Sequence, residues 1–223
     1  MITSLRTSTL AAAVLALAVA PLAACDKGSG GGSAAVADMM AYIPADAKMV
    51  GGMALDKARS SELYKKFEPK MMEQMPEEFN EFKKTCGMDP VKELNSVVFG
   101  MQNPQDEDSV VIAVSGTFNQ DKVNKCMTEQ VKKDGKEAKI TKDGKFTTYV
   151  SDGKDTINLY WPNDNTVVIA PGAMEDLAKL KALVGGKSIK ENKEIMAMVG
   201  KTDTGSAMWM AGMVPADMAQ GAS

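Results

Sequence analysis

The sequence predicts an α+β domain with a mainly antiparallel sheet and helices packed on one face. Strand candidates come in runs, with helical stretches between the runs rather than in strict alternation. After the helix capped by Asn119, four short strand candidates are separated by Asp143-Gly144, Asp152-Gly153 and Pro162-Asn163-Asp164-Asn165, the turn spacing of a meander. The length, 223 residues, suits one domain with a sizeable core.

The elements follow in order. Tyr42-Ile43-Pro44-Ala45-Asp46 is a turn-rich opening, and Lys48 to Leu55 reads as a strand containing Gly51-Gly52. Ser60 or Ser61 caps a helix with the apolar stripe Leu63, Phe67, Met71 and Met75. Pro69 is expected to disturb that helix, because proline lacks the amide hydrogen the interior needs. Pro76 opens the next helix, which ends at Gly87. Strands Ser96 to Met101 and Ser109 to Phe118 flank the acidic loop Asn103 to Asp108. Asn119 caps a helix, and the four-strand meander follows. A helix from Gly172 to Val184 stops at Gly185-Gly186. Ser188 and Glu191 form a capping-box pattern for another, ended by Gly200. The last strand is Ser206 to Val214. Ile43-Pro44-Ala45-Asp46 returns as Val214-Pro215-Ala216-Asp217, four positions that make weak evidence for a repeat.

The N-terminus carries a different signal. Leu10 to Leu22 holds no charge, is too short to span a bilayer, and follows the single basic residue Arg6. It closes on Leu22-Ala23-Ala24-Cys25, which resembles the lipobox of bacterial lipoproteins. The resemblance implies cleavage before Cys25, a diacylglycerol on its thiol and usually a third acyl chain on its amine. Residues 1–24 are then a signal peptide and 25–37 a lipidated, Gly/Ser-rich tether, with a single α+β domain over 38–223. A coil of a dozen such residues reaches roughly 20 Å. Asp26 resembles the inner-membrane retention signal of enteric lipoproteins, a rule that differs between bacterial groups, so inner and outer membrane both stay open.

Lipidation of Cys25 leaves Cys86 and Cys126, and an even remainder in an exported chain favours a disulfide. Phe79, Phe82 and Cys86 share one helical face, and Val123, Cys126, Met127 and Val131 share another, so both sulfurs sit on apolar stripes. The alternative is two buried free thiols. Neither thiol has a C-x-x-C partner or a neighbouring histidine to activate it.

The chain contains no histidine, which removes the usual general base and most zinc or copper sites. Gly186-Lys187-Ser188 ends like a phosphate loop, but Lys181 stands where the first glycine is needed. Asp106-Glu107-Asp108 lacks the spaced oxygen ligands of an EF-hand and reads as a solvated hairpin tip. Glu77-Glu78 and Glu175-Asp176 fall in first turns of helices, where they complement the dipole. We therefore expect no catalytic residues, no metal ligands and no cofactor. The net charge is −3 without a basic stripe, which disfavours nucleic acid as a partner.

Methionine is the compositional anomaly, at 18 residues, while aromatics are 5% of the chain. Met208, Met210 and Met213 surround Trp209. In a strand Met208 and Met210 share one face and Trp209 takes the other. These four residues form a contact surface if the Trp209 face is open, and core if it is closed.

Cys86-Gly87-Met88-Asp89-Pro90, Val97-Val98-Phe99-Gly100 and Cys126 are similar to cysteine-containing envelope lipoproteins of Gram-negative bacteria. The resemblance implies an anchored domain with a disulfide and no known activity. The reading that emerges is a non-catalytic lipoprotein of the bacterial cell envelope. Its acyl chains on Cys25 meet the membrane, and its soluble domain meets a protein or envelope partner. The competing readings are a carrier of an apolar ligand in a methionine-lined pocket and a hydrolase using carboxylates alone.

Overall fold

A computed structural model describes residues 34–213, apart from Asp134 and Lys154. The chain runs α1 (Ala34–Met39), β1 (Met49–Ala54), α2 (Leu55–Ser60), α3 (Glu62–Glu73), α4 (Glu77–Cys86), α5 (Pro90–Glu93), β2 (Leu94–Met101), β3 (Val110–Gly116) and α6 (Gln120–Lys133). The meander follows as β4 (Ala138–Asp143), β5 (Phe146–Ser151), β6 (Asp155–Asn163) and β7 (Thr166–Ile169). Then come α7 (Leu177–Gly185), α8 (Lys193–Val199) and β8 (Met208–Gly212). The strands form one sheet in the order β4-β5-β6-β7-β3-β2-β1-β8, with each neighbouring pair antiparallel. The α+β class and antiparallel sheet are those the sequence predicts.

The helices depart from the expected single face. In β3 every residue from Val110 to Val114 is buried. Successive strand residues point to opposite faces, so both sides of this strand need cover. One face carries the row Trp209, Gly52, Val98, Ala113 and Val168 across β8, β1, β2, β3 and β7. Val36, Met39, Leu180, Ile195 and Val199 from α1, α7 and α8 cover it. The opposite face carries Met208, Met53, Val97, Val114 and Val167, covered toward the meander by Phe82 and Cys86 of α4 and Val123, Cys126 and Met127 of α6. The fold also begins before residue 38. Val36 is 1% exposed and Met39 2%, so α1 belongs to the core and not to the tether.

Gly51 and Gly52 let large aromatic rings lie against β1 from both sides. A Cβ at Gly52 would stand 2.5 Å from Trp209 Nε1, and one at Gly51 would stand 2.5 Å from Phe99 Cζ. In the three-residue connection between Ser151 and Asp155, Asp152 and Gly153 both have positive φ, the left-handed backbone such tight turns use.

The disulfide links the helices of the second face. Cys86, the last residue of α4, is bonded to Cys126, which is 3% exposed in α6, with Cα atoms 4.4 Å apart. On the same edge Arg59 of α2 donates to Val91 O at 2.8 Å, Leu94 O at 2.6 Å and Asn95 Oδ1 at 3.1 Å, fixing α2 to the start of β2. Tyr149 of β5 is buried and donates its hydroxyl to Asn124 Oδ1 at 2.6 Å, joining the meander to α6.

Several helix boundaries refine the sequence reading. Ser61 is the cap of α3, accepting from Tyr64 N, and the helix continues through Pro69. The amide lost at Pro69 frees the Lys65 carbonyl. Both residues are exposed, so water can satisfy it and the helix is not broken. Pro171–Ala173 forms a separate 3-10 turn, and Asp176 caps α7 by accepting from Ala178 N and Lys179 N. The Ser188–Glu191 capping box closes a 3-10 turn instead of opening α8, which Asn192 caps.

Three outcomes follow from this packing. Gly52→Val should destabilise the domain by about 1–3 kcal/mol through its clash with Trp209, whereas Gly185→Ala, with open space at its Cβ, should change the unfolding midpoint little. Reducing Cys86–Cys126, which closes a loop of sequence separation 40, should cost about 4 kcal/mol in the chain-entropy account, read as a lower urea midpoint. Burial holds the Tyr149 hydroxyl protonated well above its ordinary range. A raised folded pKa keeps its full contribution below the unfolded value near 10. Stability should therefore decline as pH climbs above about 10, and Tyr149→Phe should flatten that decline in alkaline unfolding curves.

Candidate functional site

The sequence nominates Cys25, Cys86, Cys126 and the group Met208, Trp209, Met210 and Met213. Cys25 lies outside the described residues. Cys86 and Cys126 are joined inside the second core and are not available to a ligand.

The methionine group divides. Trp209 is 4% exposed and belongs to the first core, and Met213 packs against that core half-buried. Met208 and Met210 are 41% and 57% exposed. The expected contact surface is therefore two exposed methionines and not four residues. The cause is the alternation of β8: Trp209 takes the face covered by α8, while its neighbours take the face that α4 and α6 do not reach.

β8 is also an edge of the sheet. Ala54 N donates to Ala207 O and Met213 N donates to Lys48 O, both at 2.9 Å. Antiparallel partners alternate in direction. Residues 207, 209, 211 and 213 thus bond toward β1, and the amides and carbonyls of Met208, Met210 and Gly212 point outward from the sheet. No periodicity in the sequence says which strand becomes an edge, so this backbone feature was not readable from it.

The other methionines follow their packing. Met39, Met40, Met53 and Met88 are buried. Of the expected stripe, Leu63, Phe67 and Met71 lie on α3 while Met75 falls beyond its end at Glu73, and the stripe does not enter the core: no residue of α3 is buried and Phe67 is 48% exposed.

A shallow groove of about 470 Å³ opens where the β4–β5 turn meets β6 and α7. Phe146 and Tyr160 form its floor with ring centroids 5.0 Å apart, and Tyr42 meets Tyr160 edge-on at 5.8 Å. Lys181 closes one side, with Nζ 2.6 Å from Asp143 Oδ2 and 5.4 Å from the Phe146 centroid. Aromatic and charged side chains line it, with no methionine. In the acidic loop, Asp106 accepts from Asp108 N at 3.0 Å and Ser109 Oγ donates to Asn103 O and Asp106 O, so these groups shape the turn. Among the described residues, no three carboxylates, thiols or imidazoles are grouped so as to hold a metal ion. Among the same residues, no helix is long and apolar enough to cross a membrane.

No family model matches this chain, and no curated protein does. Two solved structures, both crystal forms of TP0453, are similar to it. Form III is 14% identical with a TM-score of 0.41, covering 68% of this chain and 53% of that one. Form I is 11% identical with a TM-score of 0.44, covering 78% and 61%. The chain thus spans less than two thirds of either, and likeness at this level carries no argument about function.

Proposed function

We propose that the protein is a non-catalytic envelope lipoprotein, held at a membrane by acyl chains on Cys25 and presenting its α+β domain to a protein or envelope partner. The observation that carries this reading is Leu22-Ala23-Ala24-Cys25 at the end of an uncharged run. Two or more acyl chains anchor stably, because each buried CH₂ contributes about 0.8 kcal/mol and one chain alone is marginal.

Two features of the domain support it. The Cys86–Cys126 bond suits a chain that folds outside the reducing cytoplasm. Residues 26–33 alone separate Cys25 from α1. A chain spans at most about 3.3–3.6 Å per residue. That bound keeps the start of α1 within roughly 30 Å of the headgroups. The aromatic groove lacks the methionine lining the carrier reading calls for.

Cys25→Ser should move the protein from the membrane to the soluble fraction of lysed cells. Membrane association equal to that of the unmodified chain would overturn the proposal.

A further inference from the structure

We propose that β8 is a self-association edge, at which two copies of this chain pair antiparallel about a two-fold axis at Met210 and continue the sheet across both.

The two edges of the sheet are built differently. Edge β4 carries exposed Lys139, Lys142 and Asp143, charges of the kind that discourage another strand from pairing. Edge β8 reads Met208-Trp209-Met210-Ala211-Gly212, without charge or proline, and its ladder with β1 has no register shift. An uncharged, regular edge with outward amides is a template for a further strand.

The occupant follows from the strand's own pattern. The outward-facing backbone belongs to Met208, Met210 and Gly212. A two-fold axis at Met210 uses all three, pairing Met210 with Met210 of the second copy and Met208 with Gly212 in both directions. Other self-pairing registers of the same parity leave one of the three outside the strand pair. On the exposed face this register sets each methionine at 208 against a glycine. On the other face it sets Trp209 against Ala211. Large side chains thus meet small ones at the 208/212 and 209/211 pairs, Met210 meets its own copy at the axis, and neither copy brings a charge to the seam. The isologous contact is self-complementary, as a closed dimer needs. Met210, at 57% exposure, and Met208, at 41%, lose exposed apolar surface in it.

The register can be tested in the full-length protein in its own membrane. Directly opposed residues of a hydrogen-bonded pair have Cβ atoms about 5.5 Å apart, too far for an unstrained disulfide but within reach of a thiol cross-linker with a one-carbon spacer. The two Met208 positions are displaced by four residues along the seam, roughly 13 Å, and lie outside that reach. Treated with this cross-linker, Met210→Cys should give a covalent dimer at least tenfold more than Met208→Cys. In detergent solution the unmodified full chain should sediment as a concentration-dependent dimer and Met210→Lys as a monomer. An unchanged unfolding midpoint for Met210→Lys verifies its fold. Equal cross-linking at both positions, none at either, or a wild-type monomer at all concentrations overturns the proposal. Those outcomes include occupation of the edge by residues 214–223 or by a different protein.

Discussion

Strands β2 and β3 are apolar on both sides, and the rest of the domain answers that constraint. Val98, Val111, Ala113 and Val168 face one core, while Val97, Ile112, Val114 and Val167 face the other. Leaving either side in water would forfeit about 1.5–3 kcal/mol for each large apolar side chain. Helices therefore flank the sheet on both faces. Each helix contributes a narrow stripe: Leu180 from α7 and Ile195 and Val199 from α8 on one side, Phe82 and Val123 from α4 and α6 on the other. The Gly51-Gly52 pair belongs to the same solution, since it gives Phe99 and Trp209 room against opposite faces of one strand.

The cover is uneven, and the unevenness locates the surfaces open to a partner. The first face is closed by helices from both ends of the described residues, so α1 is part of the core only a few residues after Leu22-Ala23-Ala24-Cys25. The second face is closed by α4 and α6, clamped by Cys86–Cys126, over the meander side of the sheet. At β8 that cover gives out, and Met208 and Met210 remain exposed while Met53 of neighbouring β1 is buried. Methionine suits both settings, because its flexible thioether fills irregular core gaps and adapts to varied contacts. The proposed membrane tether and the uncharged strand edge are compatible: the first would limit where the domain can be, and the second would limit what shape of partner it can accept.

Much of this was legible in the residues. Turn chemistry at Asp143-Gly144 and Asp152-Gly153 marked the meander, and helical spacing put Cys86 and Cys126 on stripes that meet. The unbroken apolar run Val110 to Val114 also held the two-sided core, but an apolar run alone does not distinguish a strand covered twice from one at the centre of a single face. The capping box identified the right turn while misplacing one helix start, because Ser188 satisfies a 3-10 turn by the same bonds that open an α-helix. The fate of Trp209 depended on strand order. β8 pairs with β1, far away in sequence, and local pattern carries no information about that pairing.

The proposed anchoring requires one covalent modification at the N-terminus, so the decisive measurement is the intact mass of the denatured protein extracted from membranes. It should match a chain beginning at Cys25, heavier by the acyl groups and lighter by the two hydrogens lost to the Cys86–Cys126 bond. A chain that retains residues 1–24, or that carries an unmodified Cys25, would contradict the account.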